Sequence, residues 1–153
     1  MAVALALGRS GASRDHEPAP QGAGHARVQR VVDGDTVRLV GLGSVRLIGI
    51  DTPEVYGHAE CYGSEASAFT GRVLAPGSGV RYRLGAETHD RYGRALAYVW
   101  LRDGRMFNRM LVRGGYATVL TIPPNDRFAP TFRADERRAR AARAGSWRAA
   151  GCL

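Results

Sequence analysis

Apolar and polar residues alternate in short runs between residues 28 and 101, which is the pattern of β-strands with one buried face. The first two runs are joined by Asp33-Gly34, a dipeptide typical of tight hairpin turns. A third run follows Gly41-Leu42-Gly43, so this part of the chain predicts a three-stranded meander. The five predicted strands are Val28–Val32, Thr36–Val40, Ser44–Ile50, Val80–Leu84 and Ala95–Leu101.

Three other segments change to the helical period. In the first of them Ala66, Phe69, Thr70 and Val73 share one face. Five short strands with a helix after the third are the element order of an OB-fold, so we predict an α+β fold, a five-stranded Greek-key β-barrel with three helices. The predicted helices are Ser64–Leu74 with Ser64 as its cap, Met106–Arg113, and a third that Thr131 caps and that continues to Ala144.

Residues 1–25 differ from the rest of the chain. Residues 1–8 are apolar but short for the core of a signal peptide, and residues 9–24 are rich in Gly, Pro, Ala and Ser. Two interpretations stay open for residues 1–25, a disordered terminus or a signal-peptide remnant with a linker, and the folded domain is expected at 26–153. No run approaches the roughly 20 apolar residues of a membrane span.

The charge of the chain indicates what kind of partner it binds. The 153 residues carry a net charge of +8, which indicates a polyanionic partner, although the use of arginine for all 22 basic residues is better explained by codon composition. Within this basic chain Asp33, Asp35, Asp51 and Glu54 form one acidic segment. Carboxylates repel phosphate unless a bound cation reverses the local charge.

Two of these carboxylates are predicted to converge. Asp35 begins the second strand and Asp51 ends the third, and adjacent antiparallel strands bring such ends together. Hard oxygen ligands suit Ca²⁺ or Mg²⁺, whereas zinc recruits His or Cys, and the four histidines do not cluster. Each motif also has a purely structural explanation, because Asp-Gly closes hairpins and Asp-Thr-Pro initiates turns.

Four motifs follow one another along the chain: VVDGDTV at 31–37, VRLIGIDTPE at 45–54, YGSEASAF at 62–69 and DRYGRALAY at 90–98. In this order and at this spacing they resemble the thermonuclease (staphylococcal nuclease) family. The resemblance extends from about Val28 to Trp147. It implies one Ca²⁺ ion, held by the carboxylates of Asp35 and Asp51 and by the backbone carbonyl of Thr52.

The resemblance also implies the catalytic groups. Glu54 would be the general base or would orient the attacking water, and Arg46 and Arg94 would bind the scissile phosphate. Tyr92 would lie beside the nucleotide. Without the resemblance, Arg46 could equally belong to a solvated strand face, and Arg94 could serve only to pair with a neighbouring acid, Glu87 or Asp90.

The function that the resemblance implies is hydrolysis of DNA and RNA, preferably single-stranded, with little sequence preference and 3′-phosphate products, by a monomer. The alternative is a non-catalytic OB-fold module that binds single-stranded nucleic acid or a protein partner. The intact acidic set favours the enzyme, because a binding module has no need of it. One departure is that Thr121 and Pro123 stand where members often carry tyrosines, which weakens the expectation of base stacking.

Cys61 and Cys152 are the only cysteines. The resemblance to bacterial members favours a disulfide between them, with two unpaired thiols as the alternative. A disulfide indicates an oxidising compartment, so we expect a secreted or cell-envelope location in a bacterium with an incomplete export signal, or a cytoplasmic one if Met1 is the true start.

Overall fold

The computed structural model describes residues 17–149 and 152, in which a closed five-stranded barrel is the central element. Around the barrel the strand order is β1-β2-β3-β6-β5; β3 and β6 are parallel and the other neighbours antiparallel. The OB-fold with three helices is therefore confirmed. The barrel strands are β1 Gly24–Val31, β2 Thr36–Leu39, β3 Gly43–Leu47, β5 Gly79–His89 and β6 Ala95–Leu101.

The remaining elements lie outside the barrel. A short antiparallel ribbon is formed by β4, Gly49–Asp51, and β7, Thr118–Leu120. The helices are α1 Gly63–Val73, α2 Phe107–Arg113 and α3 Ala129–Ala141, followed by a 3₁₀ turn at Gly145–Trp147.

Alternation along the strands produces the core. Val37 and Leu39 on β2 and Val45 and Leu47 on β3 are almost fully buried, whereas Arg46 between the last two points to the outside of the barrel. Helices α2 and α3 add large apolar side chains to the same cluster, including Phe107, Leu111 and Phe132. The barrel thus carries polar side chains outward on strands whose other face is fixed by packing.

The predicted third strand, Ser44–Ile50, is wrong as a single element. It divides at Ile48 into β3 and β4 because Gly49 has a left-handed backbone with φ of +82°, and a Cβ there would lie 2.5 Å from the Phe132 ring. After this break the chain leaves the barrel and pairs with β7. The three-residue β7 was too short for an alternating pattern to reveal.

Both predicted helix caps are also wrong. Helix α3 begins at Ala129, before Thr131, with proline in its first turn, where the missing N–H is no loss. Helix α1 begins after Tyr62, which has a left-handed φ of 71°. The Ser64 hydroxyl donates instead to the Glu65 carboxylate, at 3.0 Å.

Residues before the expected domain boundary contact the barrel. Strand β1 begins at Gly24, Ala23 is buried, and the Trp100 indole N–H donates to the carbonyl oxygen of Glu17. The expectations for residues 1–16 fall outside the described residues, and the division of the chain at residue 26 stays a prediction.

A buried ion cluster joins α2 to α3. The carboxylate of Asp135 has no exposed surface and accepts two hydrogen bonds from Arg109, at 2.6 and 3.0 Å, and one from Arg113 at 3.3 Å. A buried carboxylate is tolerated only with such partners, because its desolvation is otherwise unfavourable. This cluster fixes the helix pair that packs against the break at Gly49.

We expect Asp135→Asn to lower the free energy of unfolding by about 3–5 kcal/mol, because it removes the charge that neutralises buried arginines. Urea denaturation monitored by circular dichroism measures the change. The control is Arg105→Gln, which removes an exposed pair with Asp103 and is expected to cost less than about 1 kcal/mol. Equal losses in the two variants would contradict the assigned role of the cluster.

Candidate active site and cleft

The Asp35 carboxylate lies at the start of β2 and is largely buried. One oxygen, Oδ2, accepts the backbone N–H of Thr52 at 2.9 Å, and the other accepts the Thr36 hydroxyl at 3.2 Å. The predicted turn before it is present, since the Asp33 carboxylate accepts the N–H of Asp35 at 3.1 Å. Asp35 therefore ties the β1–β2 turn to the segment that follows β4.

Gly34 allows this close approach. A Cβ at Gly34 would lie 2.6 Å from the Thr52 hydroxyl oxygen, so any larger residue would push the two segments apart. From the other side the Thr70 hydroxyl of α1 donates to the Gly34 carbonyl at 2.7 Å. The turn is thereby held between the 51–54 segment and α1.

Arg46 joins the two predicted ligands. Its Nη2 lies 2.7 Å from Asp51 Oδ1 and 3.2 Å from Asp35 Oδ2, while Nη1 donates to the backbone carbonyls of Leu47 and of Ile50, the latter at 2.9 Å. The predicted convergence of Asp35 and Asp51 is therefore present, although Asp51 reaches it from the ribbon strand β4. A single guanidinium group contacts both carboxylates and offsets only part of their combined negative charge.

The electrostatics of Asp51 favour a cation. Burial raises the pKa of its carboxyl, Arg46 opposes this, and the negative charges of Asp35, Glu54 and Glu60 raise the pKa further. The net pKa lies above its ordinary value, so the arginine alone does not fully compensate the acidic surroundings.

The donor set fits a hard divalent cation. It would consist of the two carboxylates and the backbone carbonyl of Thr52, whose N–H donates to Asp35, and all three ligands are oxygen. Among residues 17–149 no three His, Cys, Asp or Glu side chains are arranged as a metal site by themselves, so a cation here would take further ligands from water or substrate.

Glu54 lies on the same loop and is exposed. Its backbone N–H donates to the Glu60 carboxylate at 2.9 Å, and its carbonyl accepts the Glu60 N–H at 2.8 Å. The Glu54 carboxylate itself has no hydrogen-bond or ion-pair partner among the described residues. The neighbouring Cys61 is bonded to Cys152, with Cα atoms 5.3 Å apart. The disulfide attaches the end of the chain beside this loop.

Arg94 is held in position by Asp90, one of the two acids that the sequence offered as its partner. Its Nε donates to Asp90 Oδ2 at 2.7 Å, and the second Asp90 oxygen accepts the N–H groups of Tyr92 and Arg94. Burial raises the pKa of Asp90, but these hydrogen bonds outweigh it and the net pKa is low. The two terminal nitrogens of Arg94 have no partner among residues 17–149.

Arg46 and Arg94 line one cleft of about 340 Å³. Tyr92 stands at its edge, 69% exposed, with the Arg94 guanidinium 5.6 Å from the ring centre. The cleft lining also includes Leu120 and Ile122, which are 40% and 60% exposed. These two residues were missed from the sequence, because neither β7, which holds Leu120, nor the bridge that pairs Ile122 with Asn125 was predicted. Thr121 and Pro123, which flank Ile122, do not line the cleft.

Comparison with known proteins decides the family. Residues 44–149 match the family described as staphylococcal nuclease homologue. The chain belongs to this family. The matched residues cover most of the described fold. None of the described helices has the length and the apolar character of a membrane span.

Three relatives of this chain show the extent of the similarity. A thermonuclease of Staphylococcus intermedius is 45% identical over 66% of this chain and 62% of its own length. A thermonuclease of Staphylococcus hyicus is 37% identical over 79% of this chain and 74% of its own. Endonuclease YhcR of Bacillus subtilis is 35% identical over 73% of this chain but only 10% of its own, so the chain spans less than two thirds of the first and last of these proteins.

We expect Asp51→Asn to raise the stability of the protein at pH 7 without added metal. Because the folded-state pKa of Asp51 lies above its unfolded value, ionisation at neutral pH disfavours folding, and the amide removes that penalty. The melting temperature should rise by about 2 °C at pH 7, and the difference should disappear as the pH falls below the ordinary value of 3.8.

Scanning calorimetry at pH 7 and at low pH measures this difference. Glu87→Gln is the control, because it removes one exposed negative charge from β5 that forms no ion pair with Arg46 or with any other described residue. A lower melting temperature for Asp51→Asn at pH 7 would mean that the ion pair with Arg46 outweighs the repulsion.

Proposed function

We propose that this protein is a Ca²⁺-dependent nuclease that hydrolyses DNA and RNA, preferring single strands, with little sequence preference and 3′-phosphate products. The observation that carries the proposal is the position of Arg46, which contacts both acidic ligands and lines the cleft that holds Arg94. Acidic and phosphate-binding groups are therefore adjacent. The nuclease names of the relatives support the same reaction.

The two arginines would bind the scissile phosphate. Their guanidinium groups present planar donors suited to phosphate oxygens, and Asp90 keeps Arg94 in a fixed orientation. Attack at phosphorus adds negative charge to the phosphoryl oxygens. Arg94, whose direction Asp90 sets beforehand, would stabilise that charge with little reorganisation, and Arg46 would add to it by exchanging part of its contact with Asp35 and Asp51 for phosphate.

Asp35, Asp51 and the Thr52 carbonyl would hold one Ca²⁺ ion. When bound, Ca²⁺ would supply a positive charge that polarises a phosphoryl oxygen. The chain's contribution is to keep the Asp35 carboxylate fixed by the Thr52 N–H and by the Thr36 hydroxyl, so its orientation is set before any ligand arrives.

Glu54 would accept the proton. A water oxygen would bond to phosphorus, its proton would pass to the Glu54 carboxylate, and the bond to the 5′ oxygen would break, with solvent water supplying the proton that completes the leaving hydroxyl. The exposed Glu54 carboxylate suits this role because it is not engaged by another residue of the described chain. Its backbone is held by two hydrogen bonds to Glu60.

The cleft suggests the substrate range. Tyr92, Leu120 and Ile122 offer apolar surface to an unpaired base, whereas the charged groups are suited to phosphate, and phosphate contacts carry no sequence information. Neither arrangement requires a 2′-hydroxyl. We therefore propose that unpaired DNA and RNA are both substrates of a monomeric enzyme, and the disulfide supports a secreted or cell-envelope location.

The direct test is digestion of single-stranded DNA and RNA with Ca²⁺, Mg²⁺ or a chelator, followed by analysis of product ends. We expect Ca²⁺-dependent cleavage to 3′-phosphates. Glu54→Gln should reduce the rate about 10²–10⁴-fold because it removes the proton acceptor. The control is Glu65→Gln, an equal change of charge on α1, which should leave the rate within about twofold.

The alternative, a non-catalytic OB-fold module, predicts a different outcome. Binding of nucleic acid without cleavage under any metal would overturn the nuclease proposal. Cleavage that persists in chelator would retain the nuclease but reject its dependence on Ca²⁺.

Arg46→Gln should separate metal binding from cleavage. Removing the guanidinium that contacts Asp35 and Asp51 eliminates a competing cation, so Ca²⁺ affinity measured by calorimetry should rise, by about 10-fold. Cleavage should nevertheless fall, because a phosphate ligand is lost. Arg94→Gln is the matched control: cleavage should fall with unchanged Ca²⁺ affinity, and weaker Ca²⁺ binding in Arg46→Gln would refute the competition.

A further inference from the structure

A second basic concavity lies on the barrel away from the cleft. It has a volume of about 580 Å³ and is lined by His25, Arg27, Val40, Arg81 and Arg102. None of these residues lines the cleft that holds Arg46 and Arg94. We refer to this second concavity as the Arg27 groove.

The strand register explains why its arginines face the same side. His25 pairs with Arg81, and Arg27 pairs with Gly79, so these positions share one face of the β1–β5 sheet. Arg102 follows β6, and its side chain passes over Gly79, where a Cβ would lie 3.4 Å from Arg102 Cδ. Arg102 thus adds a third guanidinium to the Arg27 groove.

The arginines of the Arg27 groove lack acidic partners. Among residues 17–149 no carboxylate forms an ion pair with Arg27, Arg81 or Arg102; Arg27 donates only to the Gly77 carbonyl, at 3.3 Å. The Arg81 Nε atom is buried without a hydrogen-bond partner. Asp103, next to Arg102, contacts Arg105 instead. Three concentrated and uncompensated positive charges favour an anionic ligand.

We propose that the Arg27 groove binds the phosphate backbone of nucleic acid whose scissile bond lies in the cleft. The inference rests on the proposed function for its ligand class, since the same strand would supply both contacts. Arg94 precedes β6 and Arg102 follows it, so eight residue steps of about 3.3 Å separate them by roughly 26 Å. At about 3.4 Å per nucleotide, a stacked strand of roughly eight nucleotides spans this distance.

Length dependence therefore provides the test. Fluorescence anisotropy in chelator, where no Ca²⁺-dependent cleavage occurs, would compare labelled thymidine strands of about 30 and about 4 nucleotides. For Arg27→Gln with Arg102→Gln, the long strand should bind about 5–10-fold more weakly, and its salt dependence should fall by about 1.4 in log–log slope. The short strand should bind as it does to the wild type.

A matched double variant controls for net charge. Arg133 and Arg137 are exposed on α3 and form no ion pair among the described residues, so Arg133→Gln with Arg137→Gln removes the same charge elsewhere. Its effect on the long strand should be less than about twofold. Equal losses in the two double variants, an equal loss for the short strand, or no loss would overturn the proposal.

Two further outcomes identify which proposal fails. If the long-strand difference is present but no metal supports cleavage, the groove stands and the nuclease does not. If cleavage is normal and KM for long substrates is unchanged in Arg27→Gln with Arg102→Gln, the nuclease stands and the groove does not. Loss of binding to anionic lipid vesicles with unchanged oligonucleotide binding would assign the groove to a membrane surface and overturn the proposal.

Discussion

The break at Gly49 is the constraint on which the site depends. Up to Leu47 the chain belongs to the barrel, and Arg46 is held there by strand pairing with Thr36 and Leu96. Beyond Gly49 the chain turns into the ribbon, and Asp51 is directed back toward the guanidinium. If the strand continued straight, Asp51 would extend past the barrel edge. The packing of Phe132 against Gly49 shows how α3, remote in sequence, helps to place a carboxylate.

The second organising feature is charge. A protein with a net charge of +8 concentrates carboxylates at one point, where burial and the neighbouring negative charges raise the pKa of Asp51. Arg46 offsets part of that repulsion, and a divalent cation would offset more. This cluster of carboxylates therefore does not serve stability. A shifted pKa in such a cluster indicates a functional site.

Local patterns predicted the barrel well because its strands alternate cleanly and Asp33-Gly34 marks the first turn. Asp35 and Asp51 were likewise identifiable from their positions at strand ends, and the family resemblance supplied Arg46 and Arg94. The division of Ser44–Ile50 was not evident from the sequence, because Gly49 lies within an apolar run and its left-handed backbone packs against the Phe132 ring, more than 80 residues later. Nor could it choose Asp90 over Glu87 as the partner of Arg94, since both acids lie nearby in the chain and only the fold brings one to 2.7 Å.

The arginines of the cleft differ from those of the Arg27 groove in whether a carboxylate fixes their orientation. In the cleft, the two arginines assigned to the phosphate have carboxylate partners that fix their direction, Asp90 for Arg94 and the Asp35 and Asp51 pair for Arg46. In the Arg27 groove, no such partner fixes the guanidinium groups among the described residues. Fixed cations suit a transition state of defined geometry, because their orientation is set before the reaction. Arginines that are free to reorient suit a flexible nucleic-acid backbone, because its phosphates can be bound in many positions. The two surfaces therefore differ in the way that their proposed roles require.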